Sequence, residues 1–238
     1  METETKPMTV GEIAKESPSA VRVFEKHKID YCCGGKRPLA EVCQELGLSA
    51  DDVLQEVRES GRVRVSGRNW ADAPLAELIS HIVAAHHAYL KSELPVLSAR
   101  MDKVAEKHSQ NSPQIFPALA EVFRSLAEEL GLHLHKEEMI LFPLIEKIEA
   151  ARNAGRAPAP SHCGSVANPI RVMVAEHDNA GHALAEMRRL TGGYTPPPDA
   201  CVTFLVLYDG LAQLEADLHT HIHLENNILF PRAVELEG

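Results

Sequence analysis

Apolar residues recur along most of this chain at intervals of three and four, while the alternation that marks strands is scarce, so the pattern predicts an almost wholly α-helical protein. From Pro74 onward the helical spacing is sustained over four long stretches, about 74–109, 114–150, 168–191 and 198–235. Stretches of that length joined by short or moderate connections predict an antiparallel four-helix bundle. Pro95 and Pro143 fall inside two of them and should bend or locally break their helices, because proline lacks the N–H and its ring meets the carbonyl four residues back. The connection 151–168 is rich in Ala, Pro, Gly and Ser and reads as a mobile loop.

Ahead of the bundle the helices are short but carry start signals. Thr9-x-x-Glu12 reads as a capping box, Ser17-Pro18 as N-cap and first residue, Pro38 as a helix opener after a glycine pair, and Ser49-x-x-Asp52 as a further start. Helices this short must pack on one another or on the rest of the chain to persist. The expected organisation is a small helical N-terminal domain over residues 1–62, a linker over 63–73, and the bundle over 74–238.

The polar residues that interrupt the apolar faces form a repeat. The run from His133 to Pro143 recurs 88 residues later, from His221 to Pro231, with seven of eleven positions identical. Lone histidines, His87 and His177, sit near the middle of the other two stretches. Residues four apart differ by about 40° of helical rotation, so His133 and Glu137 share a face, as do His221 and Glu225. That face is apolar: Leu126, Leu130, Ile140 and Leu144 lie with His133, and Leu214, Leu218 and Ile228 with His221. Val83, Leu90 and Leu94 lie with His87; Ile170, Met173, Val174 and Leu184 lie with His177. Four histidines and two glutamates therefore converge inside one core. Other bundle histidines fall off these stripes: His135, His219 and His223 read as surface or interface residues, and His86 and His182 as off the inward stripe. The Leu-Phe-Pro that follows each motif reads as packing and a helix bend.

Composition narrows the function class. The 238 residues carry a formal charge of −10 with no run of Lys or Arg, which argues against a nucleic-acid partner. The N-terminal residues lack the apolar core of a secretory signal and no stretch of about 18 apolar residues occurs, so a cytoplasmic protein with no membrane partner is expected. Five unevenly spaced cysteines read as reduced thiols. Cys43, Cys163 and Cys201 read as structural or incidental.

Two buried carboxylates with no Lys or Arg beside them would be costly unless a multivalent cation neutralised them. Imidazole and carboxylate donors without thiolate suit iron, manganese or zinc, and a two-metal site in a bundle core leans toward iron. Six ligands shared by two metals leave open positions, as a reactive site requires. None of the 13 histidines has a Glu three residues before it, which disfavours the ferritin-like diiron arrangement.

With its order of lone His, His-x-x-x-Glu, lone His, His-x-x-x-Glu and its Ile-Leu-Phe-Pro tails, the stretch 74–235 resembles the hemerythrin-like bundles. The segment Ile-Asp-Tyr-Cys-Cys-Gly-Gly-Lys ending at Lys36 sharpens this. The chain is similar, over essentially its whole length, to the repair-of-iron-centres family, diiron proteins that help restore iron-sulfur clusters damaged by nitric oxide or oxidants. Ala-Glu-His177-Asp, the Thr-Pro-Pro-Pro198 turn and Leu-Glu225-Asn-Asn share in the likeness. The resemblance implies two non-haem iron ions, oxo- or carboxylate-bridged, with His87 and His133 on one, His177 and His221 on the other, and Glu137 and Glu225 bridging. Oxygen-carrying hemerythrins use five histidines, with a His-x-x-x-His on the third helix; here the position four after His177 is Gly181. One ligand fewer favours reaction or iron delivery over reversible oxygen storage.

The vicinal pair Cys32-Cys33 is not a C-x-x-C. Gly34-Gly35 permits a tight turn, and Lys36, Arg37 and the helix opening at Pro38 should lower a thiol pKa nearby. A redox or transient iron-binding role competes with a plain structural one. The expected function is a cytoplasmic stress protein that repairs iron-sulfur clusters, by iron delivery or by an enzymatic route, reduction of nitric oxide at the diiron centre. Glu129 and Glu176 are candidate proton carriers for the second route. The alternatives are a hemerythrin-like sensor or carrier of oxygen or nitric oxide, and a zinc or manganese hydrolase, for which no nucleophile motif speaks. Expected partners are iron-sulfur client proteins, nitric oxide or oxygen as small ligand, and a second copy of the chain, since a small helical unit exposing Cys32 and Cys33 would gain from a partner surface.

Overall fold

The structure is a computed structural model that describes residues 8–17, 19–62, 69–108, 114–198 and 200–238. Among the described residues there is no strand, only isolated bridges between Thr9 and Pro38 and between Ser161 and Gly164. The N-terminal part holds four helices, α1 (Val10–Glu16), α2 (Ala20–His27), α3 (Leu39–Leu46) and α4 (Ala50–Arg62). Both halves of the Thr9–Glu12 capping box form, and Ser49 accepts from the Asp52 N–H at 3.3 Å. The N-cap of α2 is Ser19 rather than Ser17, and Pro18 lies outside the described residues, as do 63–68 of the expected linker.

The bundle follows in four antiparallel arms. The first is α5 (Leu75–Ile82), a π turn (Val83–His87) and α6 (Ala88–His108). The second is α7 (Phe116–Lys136), a π turn (Glu137–Leu141) and α8 (Phe142–Asn153). The third, α9 (Ala167–Leu190), is continuous; the fourth is α10 (Val202–His223), a π turn (Leu224–Leu229) and α11 (Phe230–Glu237). Helix α6 runs through Pro95 without a break. Pro143 and Pro231 instead each stand one residue into the helix that follows a π turn. The amide of the residue before each proline bonds five residues back, Phe142 N–H to the Glu137 carbonyl and Phe230 N–H to the Glu225 carbonyl. The extra residue in the wider turn relieves the clash a proline would make in a regular helix.

These turns shift the helical frame, so the sequence stripe fails locally within them, while Leu90, Leu94 and Ile228 are buried as expected. Ile140 is 40% exposed and Leu141 buried, and Val83 is half-buried while Ile82 is buried. The two-fold repeat reaches the helix ends: Glu149 accepts from the N–H groups of Leu75 and Ala76 at the start of α5, and Glu237, 88 residues on, accepts from Val166 at the start of α9. A carboxylate there satisfies otherwise orphaned donors and complements the helix dipole.

Apolar packing falls into three clusters. One, with Leu90, Leu130, Leu134, Leu184 and Leu218, fills the loop end of the bundle made by α6, α7, α9 and α10. A second, with Ile82, Phe142, Met173, Ile228 and Phe230, fills the other end. The third is the N-terminal core, around Phe24, Tyr31 and Val42, and it includes Ile222 of α10, so the N-terminal unit is seated on the bundle's last arm. The junction between the first two clusters is polar.

Candidate metal centre

At that junction each arm delivers its ligand-type residue, and the three π turns lie there too. His87 ends one; Glu137 opens another; Glu225 stands second in the third. Glu137 and Glu225 are fully buried, and His87, His133, His177 and His221 are buried around them. All six residues singled out in the sequence are thus brought together.

The donors sort into two quartets that share the carboxylates. His87, Glu137, His221 and Glu225 form one, His133, Glu137, His177 and Glu225 the other, with the donor atoms of each within 4.8 Å of one another. The expected pairing is corrected here: His87 stands with His221 and His133 with His177. Adjacency does not decide it, since arm one packs on arm two as well as on arm four; the placement of the rings does, with His87 and His221 5.0 Å apart at their centroids and His133 and His177 4.8 Å apart. Within the second quartet the Nε2 atoms of His133 and His177 face each other at 3.1 Å, and Glu225 lies 3.1 Å from His177.

His87 Nε2, both Glu137 oxygens and Glu225 Oε2 have no hydrogen-bond partner although buried. Orphaned buried acceptors aimed into one space are the donor set of a cation, and neutral imidazole with carboxylate suits a transition metal. Burial and the Glu225 charge push the Glu137 carboxyl up, but the close approach and charge of His133 and His87, at 3.3 and 3.4 Å, outweigh both and hold it below the usual carboxylate range. Glu225 is likewise pushed up by burial and drawn well below that range by His221 and His177. Burial opposes the charged form of His133, yet Glu137, Glu225 and Glu176 raise its pKa to about 9. Imidazolium charge thereby balances the carboxylates in the place where metal charge would.

Three of the four imidazoles have a partner on Nδ1, which leaves Nε2 for coordination. His87 bonds Glu138 at 2.8 Å, and Glu138 is paired with Lys91. His133 bonds Glu176 at 2.9 Å, and Glu176 is paired with Lys136. His177 bonds Asn226 at 2.9 Å. His221 Nδ1 has no such partner; the ring of His86, itself bonded to Asp217, stacks on it at 5.5 Å. Glu138, Asn226 and Asp217 were not singled out in the sequence, although Glu138 and Asn226 each directly follow a motif glutamate. His86 is buried, contrary to expectation, because it packs against His221, and His223 is buried at the interface with the N-terminal unit, against Tyr31 and beside Asn227. His219 is half-buried against Glu25, while His135 and His182 are exposed as expected.

A cavity of about 210 Å³ opens onto His133, His177 and His221 between mostly apolar walls that include Leu126, Leu130 and Ile222. Glu129 and Glu176 also line it. Glu176 touches a ligand-type histidine; the Glu129 side chain bonds Ser125 instead.

Cys32 is buried and Cys33 half-buried, so the expected exposure of both is corrected: the bundle of the same chain covers them. Asp30 caps their turn, accepting from the N–H groups of Cys32, Cys33 and Gly34. The Cys32 thiol is pushed well up, by its contact with Cys33, by burial and by the Asp30 charge, the reverse of the expected lowering. Arg37 is engaged with Glu45 and Lys36 is exposed. The glycine pair serves close approach rather than a left-handed turn: a Cβ on Gly35 would stand 2.6 Å from the Tyr31 carbonyl oxygen.

A domain described as hemerythrin HHE cation binding matches residues 78–233, and a domain of unknown function, DUF542, matches residues 6–60. The iron-sulfur cluster repair protein YtfE of Escherichia coli O81 (strain ED1a) is 38% identical over 225 residues, 94% of this chain and 96% of that one. The chain belongs to the repair-of-iron-centres family. YtfE proteins of Escherichia fergusonii and of E. coli O1:K1 match with the same identity and coverage. Membership agrees with the all-α fold, and the hemerythrin-type domain implies non-haem iron binding, for which the two quartets are suited. No described helix is long and apolar enough to cross a membrane.

Proposed function

We propose that this family member holds two iron ions between its paired quartets and uses them to repair damaged iron-sulfur clusters, chiefly by giving up iron. The observation that carries the reading is the donor count: each quartet offers two imidazoles and a share in two carboxylates, four groups in all. That leaves coordination positions open and a hold weaker than a closed site would give. Bound iron is then cargo, and His87, His133, Glu137, His177, His221 and Glu225 are its ligands. Asp30, Cys32 and Cys33, whose donor atoms lie within 4.8 Å of one another, form a second, thiol-rich stop for an ion in transit.

A second reading rests on the cavity. Its apolar walls suit a small neutral molecule such as nitric oxide or oxygen, and Glu176 at His133 is placed to hold a proton beside the centre. When bound, iron would supply the electrons for reducing nitric oxide; the chain supplies access, orientation and the proton.

Protein loaded with iron-57 and mixed with an iron-sulfur enzyme inactivated by nitric oxide separates these readings. Delivery predicts recovery of the client with the label in its cluster. Multiple-turnover consumption of nitric oxide without label transfer would replace delivery by reduction. Stoichiometric zinc in anaerobically purified protein would overturn both.

A further inference from the structure

The two halves of the centre differ at the residue after each bridging-type glutamate. Glu138 and Asn226 make the same contact, accepting from Nδ1 of His87 and His177 respectively. Glu138 is tied at its other side to Lys91 at the surface. Asn226 faces the N-terminal unit, and its amide donates toward the Cys32 carbonyl at 3.5 Å. A carboxylate in that place has no proton to give to a carbonyl, whereas an amide accepts at one end and donates at the other.

Two further contacts bind the same segment to the same arm pair. Asn227 donates to the Tyr31 carbonyl at 3.0 Å, and the Cys33 thiol donates to the carbonyl of His177 itself at 3.3 Å. Gly181 makes room for that thiol: a Cβ there would stand 3.0 Å from Cys33 Sγ. The position that carries a fifth histidine in oxygen-carrying hemerythrins is here the seat of the thiol. His177 is thus held through its ring by Asn226, which reaches on to Cys32, and through its carbonyl by Cys33, whereas the Nδ1 partners of His87 and His133 are tied to Lys91 and Lys136 of the bundle.

We propose that Asn226 is a positioning residue that couples the Tyr31–Cys33 segment to the His133/His177 quartet, so that a shift of this segment loosens the ion held there and leaves the His87/His221 ion in place. Partners on a ligand's second nitrogen set its orientation and basicity, and their loss typically costs about 10- to 100-fold in metal affinity. The inference deepens the delivery reading by naming which ion departs and what prompts it, and it rests on that reading only for the presence of two ions.

The test follows ion release from full-length, two-ion protein to a chromogenic chelator. Gly181→Ala wedges the thiol segment outward without touching a ligand, and alanine suits the interior of α9. Asn226→Leu, close in volume, removes both the acceptor for His177 and the donor to Cys32. Both variants should speed one release phase by about tenfold and leave the other within twofold. Glu138→Gln should speed the other phase. Helical circular dichroism and melting of the unloaded variants confirm that each is folded. Equal acceleration of both phases by Gly181→Ala, or no change in either, would overturn the coupling while leaving the two-ion reading intact. Wild-type protein that takes up no second ion would sink both.

Discussion

The ring of Phe230 lies parallel to the imidazole of His177, with 5.9 Å between centroids and 2° between planes. Its counterpart one repeat earlier, Phe142, covers His87 at 5.5 Å. The Leu-Phe-Pro tail therefore does more than pack: its phenylalanine roofs the lone ligand-type histidine on the partner arm of its own repeat. Phe230→Ala should cost about 3–5 kcal/mol in urea unfolding, since a fully buried ring is lost and the neighbours collapse only in part. It should also broaden the distribution of His177 orientations and lower the iron retained on gel filtration.

The quartets predict a definite pattern of non-additivity. His87→Ala and His221→Ala remove ligands of one ion, so the double variant should lose no more metal than the worse single one. His87→Ala with His133→Ala should strip both ions. Glu137→Ala or Glu225→Ala, each removing a group shared by both quartets, should lower both occupancies. Iron per chain by elemental analysis decides, and equal behaviour of the two double variants would refute the pairing.

Chelation should lower thermal stability. Ions that bind the folded chain alone stabilise it by mass action, on the order of 4 kcal/mol at a thousandfold excess over Kd. Without them two fully buried carboxylates depend on protonated imidazoles alone. Calorimetry with and without a tight chelator reads the difference, and an unchanged melting temperature would count against a metal-bound native state.

Pro143→Ala restores an N–H four residues after Met139 and lifts the steric demand for the wider turn. The π turn should then relax toward a regular helix, which rotates Glu137 relative to Phe142. We expect unchanged or slightly raised stability of the metal-free protein but weaker iron binding. Backbone chemical shifts across residues 137–143 would show whether the turn has annealed.

Ile222 packs in the N-terminal core although it belongs to α10, one residue from His221. Ile222→Ala should destabilise by about 2–5 kcal/mol and loosen the N-terminal unit first. Alkylation of Cys32, buried in the native chain, should then accelerate ahead of global unfolding, as followed by mass spectrometry.

Helical periodicity, the doubled His-x-x-x-Glu and the two lone histidines suffice to read the all-α fold and to single out six residues for the centre. These signals are local: i and i+4 lie on one face whatever the helix packs against. Prolines were legible too, but their effect was not. Pro95 sits inside an unbroken helix, whereas Pro143 and Pro231 close π turns that begin at or beside the glutamates. Whether a clash is absorbed by bending or by an inserted residue depends on what the neighbouring arms contribute, and here that is a cluster of ligands.

The tertiary structure alone decided which histidines share a quartet: arm one packs on both arm two and arm four, and only the depth at which each ring enters the core sets His87 beside His221 and His133 beside His177. It also decided the role of the thiol pair. Nearby Lys36 and Arg37 suggest an activated thiol, yet the folded chain turns Asp30 toward Cys32 and buries it, so desolvation and negative charge prevail over distant positive charge. The sequence by itself determined what donors the protein carries and that they point inward. Their partners on Nδ1, and the link from Asn226 to Cys32, follow from contacts between residues as many as 194 positions apart, which no local pattern encodes.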